Sequence, residues 1–165
     1  MIMKIAVGAD HRGHSVKEKI VVLLNERSHE VVDMGTNSSK SCDYPDIAFP
    51  AARAVADEKV DLAVLVCGSG IGMSICANKV PGIRAALCHD ELTAQMSRRH
   101  NNANILCLAS DVLGDELIRR IVCSWIDTEF EGGGRHERRV RKINCIEDQE
   151  DPNCYISEGN GLVES

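Results

Sequence analysis

Short apolar runs of five to seven residues recur through this chain and alternate with stretches whose apolar residues fall at helical spacing, an order that few folds accept. A run that is apolar on both faces belongs in a sheet covered on both sides, and such strands pair in parallel through helical crossovers. Strands are expected near Lys4 to Gly8, Glu30 to Met34, Leu62 to Val66, Arg84 to Leu87 and Asn104 to Leu108. Between them, Val16, Ile20, Leu23 and Leu24 form one helical stripe, Ile47, Ala51, Ala54 and Val55 a second, and Leu117, Ile121, Val122 and Trp125 a third, all expected in the core. The pattern predicts a doubly wound α/β fold, a five-stranded parallel sheet between two helical layers. Aromatic residues make up 3% of the sequence, so that core should be aliphatic.

At 165 residues the chain has the size of one domain, large enough to bury a core without disulfides or metals. Residues 1–146 read as that domain, with a charged helix from about Arg135 to Ile146 after the flexible joint Gly132-Gly133-Gly134. Residues 147–165 are polar, acidic and turn-rich, and are expected to be a disordered or draped tail. The net charge of -6 belongs to the C-terminal end, because all 19 Lys and Arg precede residue 143 and are matched there by 19 Asp and Glu. That balance gives no basic footprint for nucleic acid. No apolar run approaches the ~20 residues of a membrane span, and the N-terminus lacks a signal-peptide pattern. The eight cysteines include no C-x-x-C pair, so a reduced, cytoplasmic protein is expected, with Cys76, Cys88, Cys107 and Cys123 as small core residues.

The stretch from Val64 to Ser74 carries the chemistry: an apolar strand ends at Cys67 and enters the glycine-rich turn Gly68-Ser69-Gly70-Ile71-Gly72. Glycines let backbone N–H groups converge on an anion or a developing oxyanion, and a following helix adds positive potential at its N-terminus, which would favour a thiolate. The same spacing also suits a plain strand-to-helix turn beside a buried cysteine. In open parallel sheets, ligands bind beyond the C-terminal ends of the strands, where Asp10, His11 and Cys67 all fall. Arg135 and Arg139 stand four apart, which puts both guanidinium groups on one face of the last helix; Arg138 and Arg141 lie off that face and read as solvated surface.

Four further pieces accompany the loop in order: Gly8-Ala9-Asp10-His11, Asp43-Tyr44-Pro45-Asp46, Arg99-His100-Asn101 and Gly134-Arg135-His136-Glu137-Arg138-Arg139. The set resembles the ribose-5-phosphate isomerase B family, which also holds galactose-6-phosphate isomerase subunits and allose-6-phosphate isomerases, over roughly residues 3–146. The resemblance implies a Rossmann-like sheet and cofactor-free, metal-free aldose–ketose isomerisation of a sugar phosphate. It implies Cys67 as the base that moves the carbon-bound proton and the loop amides, Gly68, Gly70, Ile71 and Gly72 among them, as holders of the enediolate. Ser69 would relay protons between the two oxygens. His100 would open the sugar ring with Asp10 assisting, and Asn101 would donate to an oxyanion. Arg135, Arg139 and His11 would bind phosphate, and Tyr44 the sugar. The sequence falls in the family's cysteine branch, since the other branch has its glutamate base where this chain has Met73, which reads as core or pocket wall. The resemblance also implies a homodimer, able to pair again, with each site shared across the interface.

The preferred substrate pair is ribose 5-phosphate and ribulose 5-phosphate, with allose 6-phosphate or galactose 6-phosphate as the alternative. A nucleotide- or flavin-binding regulatory module fits less well, because the loop ends in no Gly-Lys-Ser/Thr and its G-x-G-x-G spacing misses G-x-G-x-x-G. A cysteine nucleophile for acyl or phosphoryl transfer is the remaining rival, and it leaves the paired arginines unexplained.

Overall fold

A computed structural model describes residues 2–154; most of the expected acidic tail lies outside them. Five strands, β1 (Lys4–Ala9), β2 (Glu30–Asp33), β3 (Leu62–Cys67), β4 (Ala85–Leu87) and β5 (Ile105–Ala109), form one all-parallel sheet in the order β2-β1-β3-β5-β4. The expected strands are all present, within one or two residues at their ends. Helices α1 (His14–Glu26), α2 (Pro45–Ala56), α3 (Ile71–Ala77), α4 (Glu91–Asn101) and α5 (Asp115–Ile126) follow them in turn. Two pieces lie beyond α5: α6 (Arg135–Glu147) and a 3-10 turn at Pro152–Cys154.

The two-residue side-chain period of each strand divides the core. Ile5, Val7, Leu62, Val64, Val66, Leu106 and Leu108 face α1, α4 and α5 around the fully buried Trp125. Ala6, Ala63, Leu65, Cys67, Ile105 and Cys107 face the small-residue surface of α2 and α3, where Ala48, Ala51, Ala52 and Met73 are closed in. Cys67 therefore points to the α2–α3 side. Four stripe residues expected in the core, Leu23, Ile47, Ala54 and Leu117, are only partly buried, because each sits on the flank of its helix rather than over the sheet. Cys88 and Cys107 are buried as expected, whereas Cys76 and Cys123 are half-buried.

The glycine joint before α6 differs from expectation too. The Gly133 amide donates to Glu137 Oε2 at 2.6 Å, and Glu137 also pairs with Arg141, so the turn is closed onto the first turn of the helix. These donors hold the Glu137 carboxyl below its ordinary range, the Gly133 hydrogen bond contributing most.

Candidate active site

Three strand-end turns converge beside Cys67. After β1, Asp10 folds back so that Oδ1 accepts from the amides of Arg12 (2.9 Å) and Gly13 (3.1 Å), which fixes the turn. His11 is held by the other side of the site: its Nδ1 lies 3.2 Å from the Cys42 carbonyl oxygen and 3.3 Å from the Cys42 amide. After β5, the Ser110 amide donates to the Cys67 carbonyl (2.9 Å) and the Asp111 amide to the Gly68 carbonyl (3.0 Å). The turns from β1, β3 and β5 thus form one hydrogen-bonded rim.

Within that rim, Cys67 Sγ accepts from the Gly70 amide at 3.1 Å, which sets the sulfur at the mouth of the loop. Gly70 precedes α3 with φ 72, a conformation that a β-carbon disfavours. The Ile71 amide faces Ser69 Oγ at 3.3 Å. Two of the loop amides expected to hold an enediolate are therefore committed to the thiol and the hydroxyl. Tyr44, at the N-cap of α2, lays its ring on Gly72, with ring carbons 2.8 Å from where a β-carbon would stand. Met73 is fully buried, in line with its reading as core.

The remaining candidates stand at the far end of the sheet. α4 runs against the strands, from Asp90 beyond β4 down to Asn101 just before β5, so His100 and Asn101 reach the N-terminal strand ends. A strand of five or six residues spans roughly 17–20 Å, which separates them from Cys67 and Asp10 of the same chain. The Glu131 amide donates to the Arg99 carbonyl at 2.9 Å and brings the start of α6 to this same end. Here His136, nearly buried, stacks on His100 with ring centroids 4.1 Å apart and planes 4° from parallel. Burial, then the charges of His100 and Arg135, hold His136 below the ordinary imidazole value; Arg139 acts the same way, and Glu131 opposes them. In the sequence His136 is one of three residues between Arg135 and Arg139, and nothing local marks it out from Glu137 and Arg138.

His100, Glu131 and His136 bring their ligand atoms within 4.8 Å of one another, a spacing that a metal ion can bridge. Arg135 and Arg139 act on the same cluster and favour an anion there instead. The structure thus gathers Asp10, His11, Tyr44, Cys67 and the loop Gly68 to Gly72 at one end, and His100, Asn101, Arg135 and Arg139 at the other. Sequence reasoning missed the Arg12–Asp111 ion pair, with Arg12 Nε and Nη2 at 2.7 and 2.6 Å from Asp111 Oδ2.

A parallel doubly wound sheet with a thiol at the head of a glycine loop, and with paired arginines on a terminal helix, defines a Rossmann-like protein built to handle a small phosphorylated substrate. Comparison with known proteins makes the class specific. The family model described as Ribose/Galactose Isomerase matches residues 5–143, and the chain belongs to that family. It is 49% identical to ribose-5-phosphate isomerase B of Escherichia coli (strain K12), over 87% of this chain and 96% of that one. The Clostridium thermocellum ribose-5-phosphate isomerase B structure superposes with a TM-score of 0.87 at 48% identity, covering 89% of this chain and 99% of that chain. The Mycoplasma genitalium ribose-5-phosphate isomerase B, whose structure holds ribulose-5-phosphate, gives a TM-score of 0.84 at 41% identity, over 88% and 97%.

Proposed function

We propose that this chain interconverts ribose 5-phosphate and ribulose 5-phosphate, with Cys67 as the proton-transfer base. The observation that carries the reading is the placing of Cys67 Sγ against the Gly70 amide at the mouth of the loop, in a chain that belongs to this family. His100 moves a proton between the anomeric hydroxyl and the ring oxygen, and the ring opens. The Cys67 thiolate takes the proton from C2, and the electrons form the C1–C2 double bond of a cis-enediolate. Ser69 passes the hydroxyl proton from O2 to O1, and Cys67 returns its proton to C1. One carbon is oxidised and its neighbour reduced, so the reaction needs no external oxidant.

The site is completed by a second copy of the chain. Cys67, Tyr44 and His11 come from one subunit; His100, Asn101, Arg135 and Arg139 come from its partner, because the two groups occupy opposite ends of the sheet in each chain. Exposed apolar side chains support the pairing: Phe49, Ile71 and Ile75 on α2 and α3, and Met96, Ile143 and Ile146 on α4 and α6. Seven free thiols among the described residues suit a reducing cytoplasm. Among the described residues no helix is long and apolar enough to cross a membrane.

Complementation tests both halves of the proposal. Cys67→Ala and His100→Asn are each expected to be inactive alone, while an equal mixture after subunit exchange regains about a quarter of wild-type activity, since half the dimers carry one intact site. No recovery in verified mixed dimers would refute the shared site, and full activity of Cys67→Ala alone would refute the base.

A further inference from the structure

Arg12 follows His11 directly, and its guanidinium lies on the Cys67 loop. A β-carbon built on Gly68 would stand 2.5 Å from Asp111 Oδ2 and 2.8 Å from Arg12 Nε, so the ion pair occupies the space that a side chain at 68 would need. The pair is half exposed, 58% for Arg12 and 42% for Asp111, and exposed pairs add little to stability. Stability alone gives a weak reason for placing a guanidinium against the backbone of a catalytic loop.

The charge distribution supplies a stronger one. The turns leaving β1, β3 and β5, residues 10–13, 68–70 and 110–114, contain two acids, Asp10 and Asp111, and Arg12 as their single Lys or Arg. A dianionic phosphate brought to His11 would meet those acids with no other fixed cation on the rim. Asp111 engages two guanidinium nitrogens through one oxygen, Oδ2. A guanidinium carries five N–H donors, so the Nη1 edge remains available to a second, bidentate anion partner. The backbone around it is fixed: the Arg12 amide donates to Asp10 Oδ1, and Ser110 Oγ lies 3.2 Å from both the Arg12 and the Cys67 carbonyl oxygens.

We propose that Arg12 is a further substrate-binding residue, a phosphate ligand that Asp111 presents beside His11, contributed by the subunit that contributes Cys67. The inference rests on the sugar-phosphate reading above and adds to it a phosphate contact from the thiol-bearing half of the site.

The test pairs Arg12→Met with Asp111→Asn, which break the same ion pair but differ in whether a guanidinium remains. Arg12→Met is expected to raise the KM for ribose 5-phosphate about tenfold or more, with kcat within about threefold, and to weaken inorganic phosphate binding in calorimetry by the same factor. Asp111→Asn is expected to change both by less than about threefold, and Arg12→Lys to fall between. Equal effects of Arg12→Met and Asp111→Asn, or unchanged phosphate affinity in Arg12→Met, would overturn the proposal and leave the pair as a structural staple. Because the phosphate titration does not need turnover, a wild type that binds phosphate but does not isomerise ribose 5-phosphate would sink the isomerase reading while the calorimetry still decides the role of Arg12.

Discussion

Replacing Gly70 by alanine tests the link between backbone geometry and chemistry most directly. Gly70 holds φ 72, and an L side chain there costs roughly 1–2 kcal/mol. The added β-carbon would also run into the Leu87 δ-methyl and stand 3.0 Å from the Leu108 carbonyl carbon, which is β5 backbone and cannot swing away. Overpacking of this kind costs a further ~1–3 kcal/mol, giving roughly 2–5 kcal/mol in all. Gly82 supplies the control: its φ is +82, but a β-carbon there meets nothing within 4 Å. Gly82→Ala should therefore show the backbone cost alone, roughly 1–2 kcal/mol. At about 2–4 °C for each kcal/mol in a chain of this size, thermal unfolding at one protein concentration separates the two variants by several degrees. Relief of the clash moves the Gly70 amide off Cys67 Sγ, so kcat of Gly70→Ala should fall at least tenfold, by about the 1.4 kcal/mol of one misplaced hydrogen bond. Equal melting temperatures for the two variants would refute the packing argument, and wild-type kcat in a destabilised Gly70→Ala would refute the positioning of the thiol by that amide.

Other expectations follow from single features. His136 has its proton affinity depressed in the fold, so folding disfavours its protonation and stability is lost as pH falls below the ordinary imidazole value of 6.5; His136→Phe, which keeps the ring stack but cannot charge, should flatten melting temperature against pH below that point. Arg139→Ala and Arg135→Ala should each raise the KM for ribose 5-phosphate about tenfold to a hundredfold, with smaller changes in kcat, in steady-state assays. Lys17 is fully buried with Nζ 2.5 Å from Asp33 Oδ2 and 3.3 Å from Asn37 Oδ1; Lys17→Ala should cost about 2–4 kcal/mol in denaturant unfolding and loosen the segment that carries Cys42 and Tyr44.

The fold was legible because it rests on local patterns. Each strand is an apolar run, and the junction at Cys67 is visible where such a run meets glycines, although the spacing leaves open whether it is a site or a plain turn. What stayed hidden depends on distance along the chain. His136 acquires its environment only when α6 packs on α4, and nothing around residue 136 signals a ring 36 positions away. Arg12 and Asp111 are 99 residues apart, and each alone reads as a solvated charge. Leu23, Ile47, Ala54 and Leu117 show the limit of periodicity: a stripe of apolar residues gives the face of a helix, but the width of its contact with the sheet decides how far the flanks are covered. The distance between the two groups of candidate residues follows from helix direction, since a helix crossing back over the sheet ends where its strand began, and a site shared between subunits stays part of the proposal.

The anchoring of α6 bears on how the enzyme would fail on heating. Cys67 closes β3, a central strand buried at every position, while α6 rests on α4 and the short turn at Pro152–Cys154, with His136 and Val140 as its buried residues. Its hold on its own chain is slight, so α6 opens at a lower free-energy cost than the sheet wherever the proposed pairing of subunits loosens. Inactivation should then precede loss of secondary structure, and amide hydrogens of α6 should exchange ahead of those of β3. The lifetime of activity would be set by how long one outer helix stays docked, and a clamp on α6 would lengthen it without any change to the core.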